Sequence, residues 1–159
     1  MAVYFLDSSA VVKFHVAETG TAWVQSLLLA KAKDGTFTNE IFIANITEVE
    51  VTAALVRRAR AANSPVANLA ATLTVLGQQV GTILEPVALT NNHIVSAVTL
   101  AQKHALRGYD AVQLAIAFQL NNERLAAKLP SLTLIAADIE LLAAAQAEGL
   151  PTDDPNLHP

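Results

Sequence analysis

Four short apolar runs, each leading into a longer helical segment, restrict this chain more than any other feature. They are "VYFL" (3–6), "IFIANI" (41–46), "TILEPVAL" (82–89) and "SLTLIAAD" (131–138). Each reads as a strand, nearly apolar throughout rather than alternating with polar residues. Helical periodicity follows over 9–15 and 21–33, 47–62 and 65–81, 91–105 and 110–128, and 139–148, the last closed by Gly149. Strands buried on both faces and alternating with helices predict a doubly wound α/β fold around a parallel sheet. In such folds a ligand sits beyond the carboxyl ends of the strands. Pro86 places the third strand near a sheet edge or a bulge. Residues 1–150 read as one domain, and the Pro- and Asp-rich 151–159 as a tail running in coil along its surface.

The predicted strands deliver acids to that carboxyl rim. Asp7 follows the first strand and Asp138 the fourth; Glu50 stands in the first turn after the second, and Asp110 opens the helix after "LRGY". Each has a structural explanation of its own. Thr47-x-x-Glu50 has the form of a capping box, and Asp7, Asp110 and Asp138 are candidate N-caps. Together, however, they raise an electrostatic problem. Two unit charges ~5 Å apart repel by roughly 3 kcal/mol at an effective dielectric of ~20. A cluster of four needs protonation or a counter-ion. An oxygen-only donor set with neither His nor Cys points to Mg²⁺ or Mn²⁺ rather than Zn²⁺. The histidines at 15, 93, 104 and 158 show no i, i+4 pairing and read as surface or packing residues.

Composition narrows the rest. The net charge of −4 argues against a general nucleic-acid binder unless the acids are gathered around cations. No cysteine is present, which excludes disulfides and thiolate metal sites and fits a reducing cytoplasm. No apolar run approaches the ~18–20 residues that span a bilayer, and the first residues lack a signal-type pattern. The six glycines form no phosphate-cradling loop. A receiver-like domain would want a second acid after the first strand and a Lys near the last one. A haloacid-dehalogenase-like phosphatase would want an acid where Ser9 stands.

The stretches "YFLDSSAVVKF", "ITEVEVTAAL", "LRGYDAVQLAIA" and "LIAADIELLAAAQAEGL" resemble, in order, the successive motifs of the PIN-domain family, in particular VapC-type toxins of toxin–antitoxin pairs. The resemblance covers residues 3 to about 150. It implies a three-layer α/β/α fold with a central parallel sheet of four to five strands. It also implies a Mg²⁺- or Mn²⁺-dependent ribonuclease in which Asp7, Glu50, Asp110 and Asp138 hold metal, with Ser9 assisting beside Asp7. Glu48 competes with Glu50 for the second acid, and the "EVTAAL" register favours Glu50. The alternative is a catalytically silent PIN-like module that binds RNA or protein.

Arg107, three residues before Asp110, is the candidate contact for phosphate or for an antitoxin tail. Lys13, Lys103 and the Arg57, Arg58, Arg60 cluster are further basic candidates, the cluster fitting a solvated helix face. The Ala- and Leu-rich "LLLAKA" and "NLAATLTVL" suggest either two-sided helix burial or a homodimer seam with a groove for a partner segment. The implied partners are an RNA substrate, a cognate antitoxin and a second copy of the chain, with no membrane.

Overall fold

The computed structural model describes residues 1–61 and 63–159. Strand β1 (Ala2–Leu6) leads into helices α1 (Ser8–His15) and α2 (Thr21–Leu29). Then come β2 (Asn39–Ala44), α3 (Thr47–Ala59), α4 (Leu69–Gln79), β3 (Glu85–Val87), α5 (Asn91–His104), α6 (Gly108–Ala126), β4 (Thr133–Ile135), α7 (Ile139–Ala147) and β5 (Thr152–Asp153). All strand pairs are parallel, in the order β3-β2-β1-β4-β5. The chain is thus α/β with a five-stranded parallel sheet flanked by helices.

The two faces of the sheet are separated by the period of two along each strand. Val3 and Phe5 of β1, Phe42 and Ala44 of β2 and Leu134 of β4 enter a core with α5, α6 and α7. Leu6, Ile41, Ile43 and Ile135 enter a second core with α1 to α4. Connections before β3 step one way across the sheet and later ones step the other. Right-handed crossovers therefore put the two helix groups on opposite faces. The direction reverses beside β1, so the crevice between the carboxyl ends of β1 and β4 is the switch point where such folds bind ligands.

Several elements differ from their sequence expectation. Helix α2 ends at Leu29 rather than near Lys33, and 30–38 form a loop with a Lys31–Phe37 bridge. Helix α3 ends at Ala59; Ala62, the expected limit, lies outside the described residues. Pro86 does sit in the outermost strand, on the β3 edge.

The expected coil after residue 150 is instead structured. Thr152–Asp153 adds β5 to the edge of β4, and Pro155–Leu157 form a 3-10 turn. The edge of β4 offers unpaired amides and carbonyls, and the passing chain satisfies them.

Candidate active site

Asp7 is the first residue beyond β1 and the N-cap of α1. Its Oδ1 accepts from the Ser9 hydroxyl at 2.6 Å and the Ala10 amide at 3.0 Å. The same Ser9 oxygen accepts from the Ala137 amide at 2.8 Å, and the Asp7 amide donates to the Ile135 carbonyl at 3.1 Å. The ends of β1 and β4 are thereby stitched together at the switch point. Asp7 is only 4 % exposed, and burial pushes its carboxyl from 3.8 up to about 6. The bonds from Ser9 and Ala10 oppose that rise, while the charge of Asp110 adds to it.

Asp138 stands beyond β4 as the N-cap of α7, its Oδ1 accepting from the Glu140 and Leu141 amides at 2.8 and 3.0 Å. Asp110 does not cap α6: Arg107 occupies that position, and Asp110 lies in the first turn. Its carboxyl is raised above the usual carboxylate range by burial, then by repulsion from Asp138. Arg107 opposes this, and Glu50 and Glu140 add to it. Asp110 is thus in electrostatic reach of Asp7, Glu50 and Asp138 together.

Glu50 is held from the side. The capping box at Thr47 does not form; Ile46 precedes the helix without a side-chain cap. Glu50 Oε2 instead accepts from the Ser8 hydroxyl and, at 2.7 Å, from Gln113 Nε2. Gln113 also donates to Thr47 Oγ1 at 3.0 Å and Ser8 Oγ at 3.1 Å. Its two amide hydrogens are shared among three oxygens in a buried pocket. Glu48 points to solvent, one turn position away from these contacts. Arg107 is exposed at the start of α6, its charge acting on Asp110.

Two polar contributors, Ser8 and Gln113, were not singled out from the sequence, and Thr47 was read only as a cap. The spacing of Asp110 and Gln113, i and i+3 on one helix, is the local signal that they share a face. A cleft of about 380 Å³ adjoins the acids, lined by Ser8, Ser9, Lys13, Glu18, Glu50, Arg57 and Arg58 among others. Arg57 and Arg58 line this open cleft, Arg57 exposed as a solvated helix face would have it, while Arg60 ends the helix. Lys103 is tied to Glu148 at 2.7 Å. None of the histidines enters the acid cluster. His93 completes a capping box with Thr90, His104 bonds Glu148, His158 stacks on Trp23, and His15 lies edge-on to Phe14.

In chemistry the cluster suits a hard divalent cation, because every donor is a carboxylate or hydroxyl oxygen. A positive charge beside Asp7 would relieve the cost of ionising it in a buried site. Among the described residues, no three Asp, Glu, His or Cys side chains already stand in ligating range of a shared point.

An open α/β sheet with acids around its switch point defines a class of ligand-binding domain. The family comparison makes it specific. Residues 4–128 match the PIN domain, and the chain belongs to that family. A search of curated proteins found no match. Among solved structures, the chain is similar to PAE2754 from Pyrobaculum aerophilum (17 % identity, 98 % of this chain and 91 % of that one, TM-score 0.59). It is also similar to a toxin–antitoxin complex from Klebsiella pneumoniae (16 %, 96 % and 97 %, 0.55). A third is VapBC2 from Rickettsia felis bound to a DNA fragment from their promoter (13 %, 96 % and 98 %, 0.56). At these identities the likeness is one of fold.

Proposed function

We propose that this PIN-domain protein is a Mg²⁺- or Mn²⁺-dependent endoribonuclease and the toxin of a toxin–antitoxin pair. The observation that carries the proposal is the position of Asp110, whose charge acts on Asp7 and is acted on by Glu50 and Asp138. It lies beside the ends of β1 and β4, where Asp7 and Asp138 stand. Asp7, Glu50 and Asp110 would hold the cation, and Asp138 would contribute through the carboxylate oxygen not engaged in capping α7. A bound divalent cation supplies charge neutralisation on the phosphate and lowers the pKa of a water.

The chain's own residues do the rest. Ser9 and Ala10 fix the rotamer of Asp7, and Ser8 and Gln113 fix that of Glu50, so the carboxylates keep their aim as the charge at the centre changes. With no imidazole in the cluster, a carboxylate orients the attacking water. The water oxygen bonds to phosphorus as the ester P–O bond breaks. The water gives up a proton to a carboxylate or to solvent, and the leaving oxygen takes a proton from solvent to depart as the hydroxyl. Bare carboxylates repel a phosphate, so a cation at the acids strengthens RNA binding there, while phosphates further along the strand do not depend on it.

Membership of the PIN family and the fold shared with the Klebsiella toxin–antitoxin complex support an antitoxin partner. Among the described residues no helix is long and apolar enough to cross a membrane. The proposed RNA substrate would be met in the cytoplasm. Exposed Ile94, Val95 and Val98 on α5 support a homodimer. The residues 1–150 would form the nuclease domain, with 151–159 completing its sheet.

The test is cleavage of a labelled RNA by the purified protein in Mg²⁺, in Mn²⁺ and in chelator. Cleavage is expected with either metal. It should be lost in chelator and fall by at least about 100-fold in Asp7→Asn and Asp110→Asn. Full activity in chelator or in either variant overturns the assignment. Metal-independent RNA binding without cleavage would instead favour the silent binding module.

A further inference from the structure

The cleft beside the acids has a character of its own. Its α3 wall presents Glu50, Ala54, Arg57 and Arg58, a stripe spaced i, i+4, i+7 and i+8. The α1 wall presents Ser8, Ser9, Val12 and Lys13, and Glu18 closes one side. Three of the chain's ten Lys and Arg residues thus line one cleft of a protein with net charge −4. Such a concentration is not what dispersed solubilising charge produces.

The three cations are in different states. Lys13 is buried, donating to the Thr19 carbonyl at 2.9 Å and pairing with Glu18 Oε1 at 3.4 Å. Arg58 Nη1 pairs with Glu18 Oε2 at 3.3 Å, with both side chains about one-third exposed. A pair that open contributes little to stability and gives way readily to a better anion. Arg57 is exposed and makes no ion pair among the described residues. It stands about 10 Å along the helix axis from Glu50 at ~1.5 Å per residue, so it meets a different phosphate from the one at the acids.

We infer that this cleft is the track for the RNA backbone to one side of the cut. Arg57 and Arg58 are positioning residues for a neighbouring phosphate, and Glu18 is the carboxylate which that phosphate displaces from Arg58. The inference rests on the ribonuclease reading and adds the path of the strand to it. Phosphate contacts here hold the substrate in register without reading its bases. The mixed composition, three cations and two carboxylates around small and apolar residues, suits a strand that must slide in and be released.

The test measures binding of a labelled single-stranded RNA to the full chain in the cleavage-silent Asp7→Asn background over a series of salt concentrations. Arg57→Gln and Arg58→Gln should each weaken binding by about 3- to 10-fold at low salt. Each should reduce the slope of log K against log salt by about 0.7. Arg57→Lys should keep the slope, because charge rather than the guanidinium fork sets it. Glu18→Gln should tighten binding by freeing Arg58. In the active background the arginine variants should raise KM more than they lower kcat.

Intact cleavage by the parent protein together with unchanged affinity and slope in both arginine variants overturns the inference and leaves the nuclease standing. If the variants lose affinity for polyglutamate but not for RNA, the cleft belongs to an acidic protein partner and the inference also falls. If the parent protein neither cleaves nor binds RNA, both readings fall together.

Discussion

At Asp7, burial and charge are set directly against each other. The carboxyl is held by two good hydrogen bonds yet titrates near 6 against 3.8 for an unburied group, because desolvation outweighs them. Between those values the folded chain carries more protons than the unfolded one, so the protein loses stability as pH rises through that window. The full cost is in place above about 6. Asp7→Asn keeps an acceptor for Ser9 and Ala10 but removes the ionisation. In chelator at neutral pH it is expected to be more stable than the parent by about 1–3 kcal/mol, with the difference vanishing below pH ~4. Millimolar Mn²⁺ should then raise the melting temperature of the parent and not of the variant. Equal melting temperatures of parent and variant in chelator at both pH values would remove the burial argument. The position of Asp7 was legible because it directly follows a continuous apolar strand and precedes a helix, which fixes it at the strand's carboxyl end as the N-cap of α1. Gln113 was not, because its partners Ser8 and Glu50 lie 105 and 63 positions away, and its i, i+3 spacing from Asp110 gives a shared face but not those partners.

Among the elements, strands and helices that fold by their own periodicity were readable, and those completed by a neighbour were not. Strands β1 and β2 announce themselves by continuous apolar residues. Segment 151–159 has no such pattern, and β5 exists because β4 leaves an edge to cover. The Thr47–Glu50 spacing fits a cap, but tertiary partners on α1 and α6 claim both side chains. The docking of the final segment rests on Gly20 before α2, at φ 86°, where an added Cβ would lie 2.2 Å from the Pro155 carbonyl oxygen. Trp23 then stacks on His158 with ring centroids 4.0 Å apart, and His158 Nε2 meets Asp153 at 2.8 Å. Gly20→Ala is expected to cost about 2–4 kcal/mol, left-handed strain plus overlap with the docked turn. Gly81→Ala, at φ 78° with open space around it, should cost only the strain, about 1–2 kcal/mol. Chemical denaturation of the two variants separates the contributions. Equal losses would mean that the Pro155 turn is not seated against α2 in solution.

At the scale of the whole molecule, the unexplained surface is apolar and lies on α5. In "LLLAKA" and "NLAATLTVL", where the sequence suggested either two-sided burial or a seam, Leu28 and Leu76 are buried in the second core while Leu29 and Val75 stay exposed. The α5 face also exposes Ile94, Val95 and Val98, with Val95 69 % and Val98 54 % accessible. Beside them an apolar groove of about 220 Å³ runs between α5 and α6, lined by Ile94, Ala97, Val98, Ala101 and Val112 among others. This face belongs to the helix layer of α5, α6 and α7, whereas the basic cleft lies between α1 and α3 on the opposite layer. A second copy could therefore cover α5 without closing the basic cleft. A stable interface buries about 800 Å² on each partner, more than three side chains provide, so the contact must extend along α5 and over its neighbours. Sedimentation equilibrium is expected to find a dimer for the parent chain and a monomer for Val95→Glu/Val98→Glu. Because the substituted side chains are exposed on α5 and none of the proposed acids lies on that helix, the monomer should retain metal-dependent cleavage. A parent chain that stays monomeric at micromolar concentration would leave α5 as surface for another partner and remove the homodimer from the proposed function.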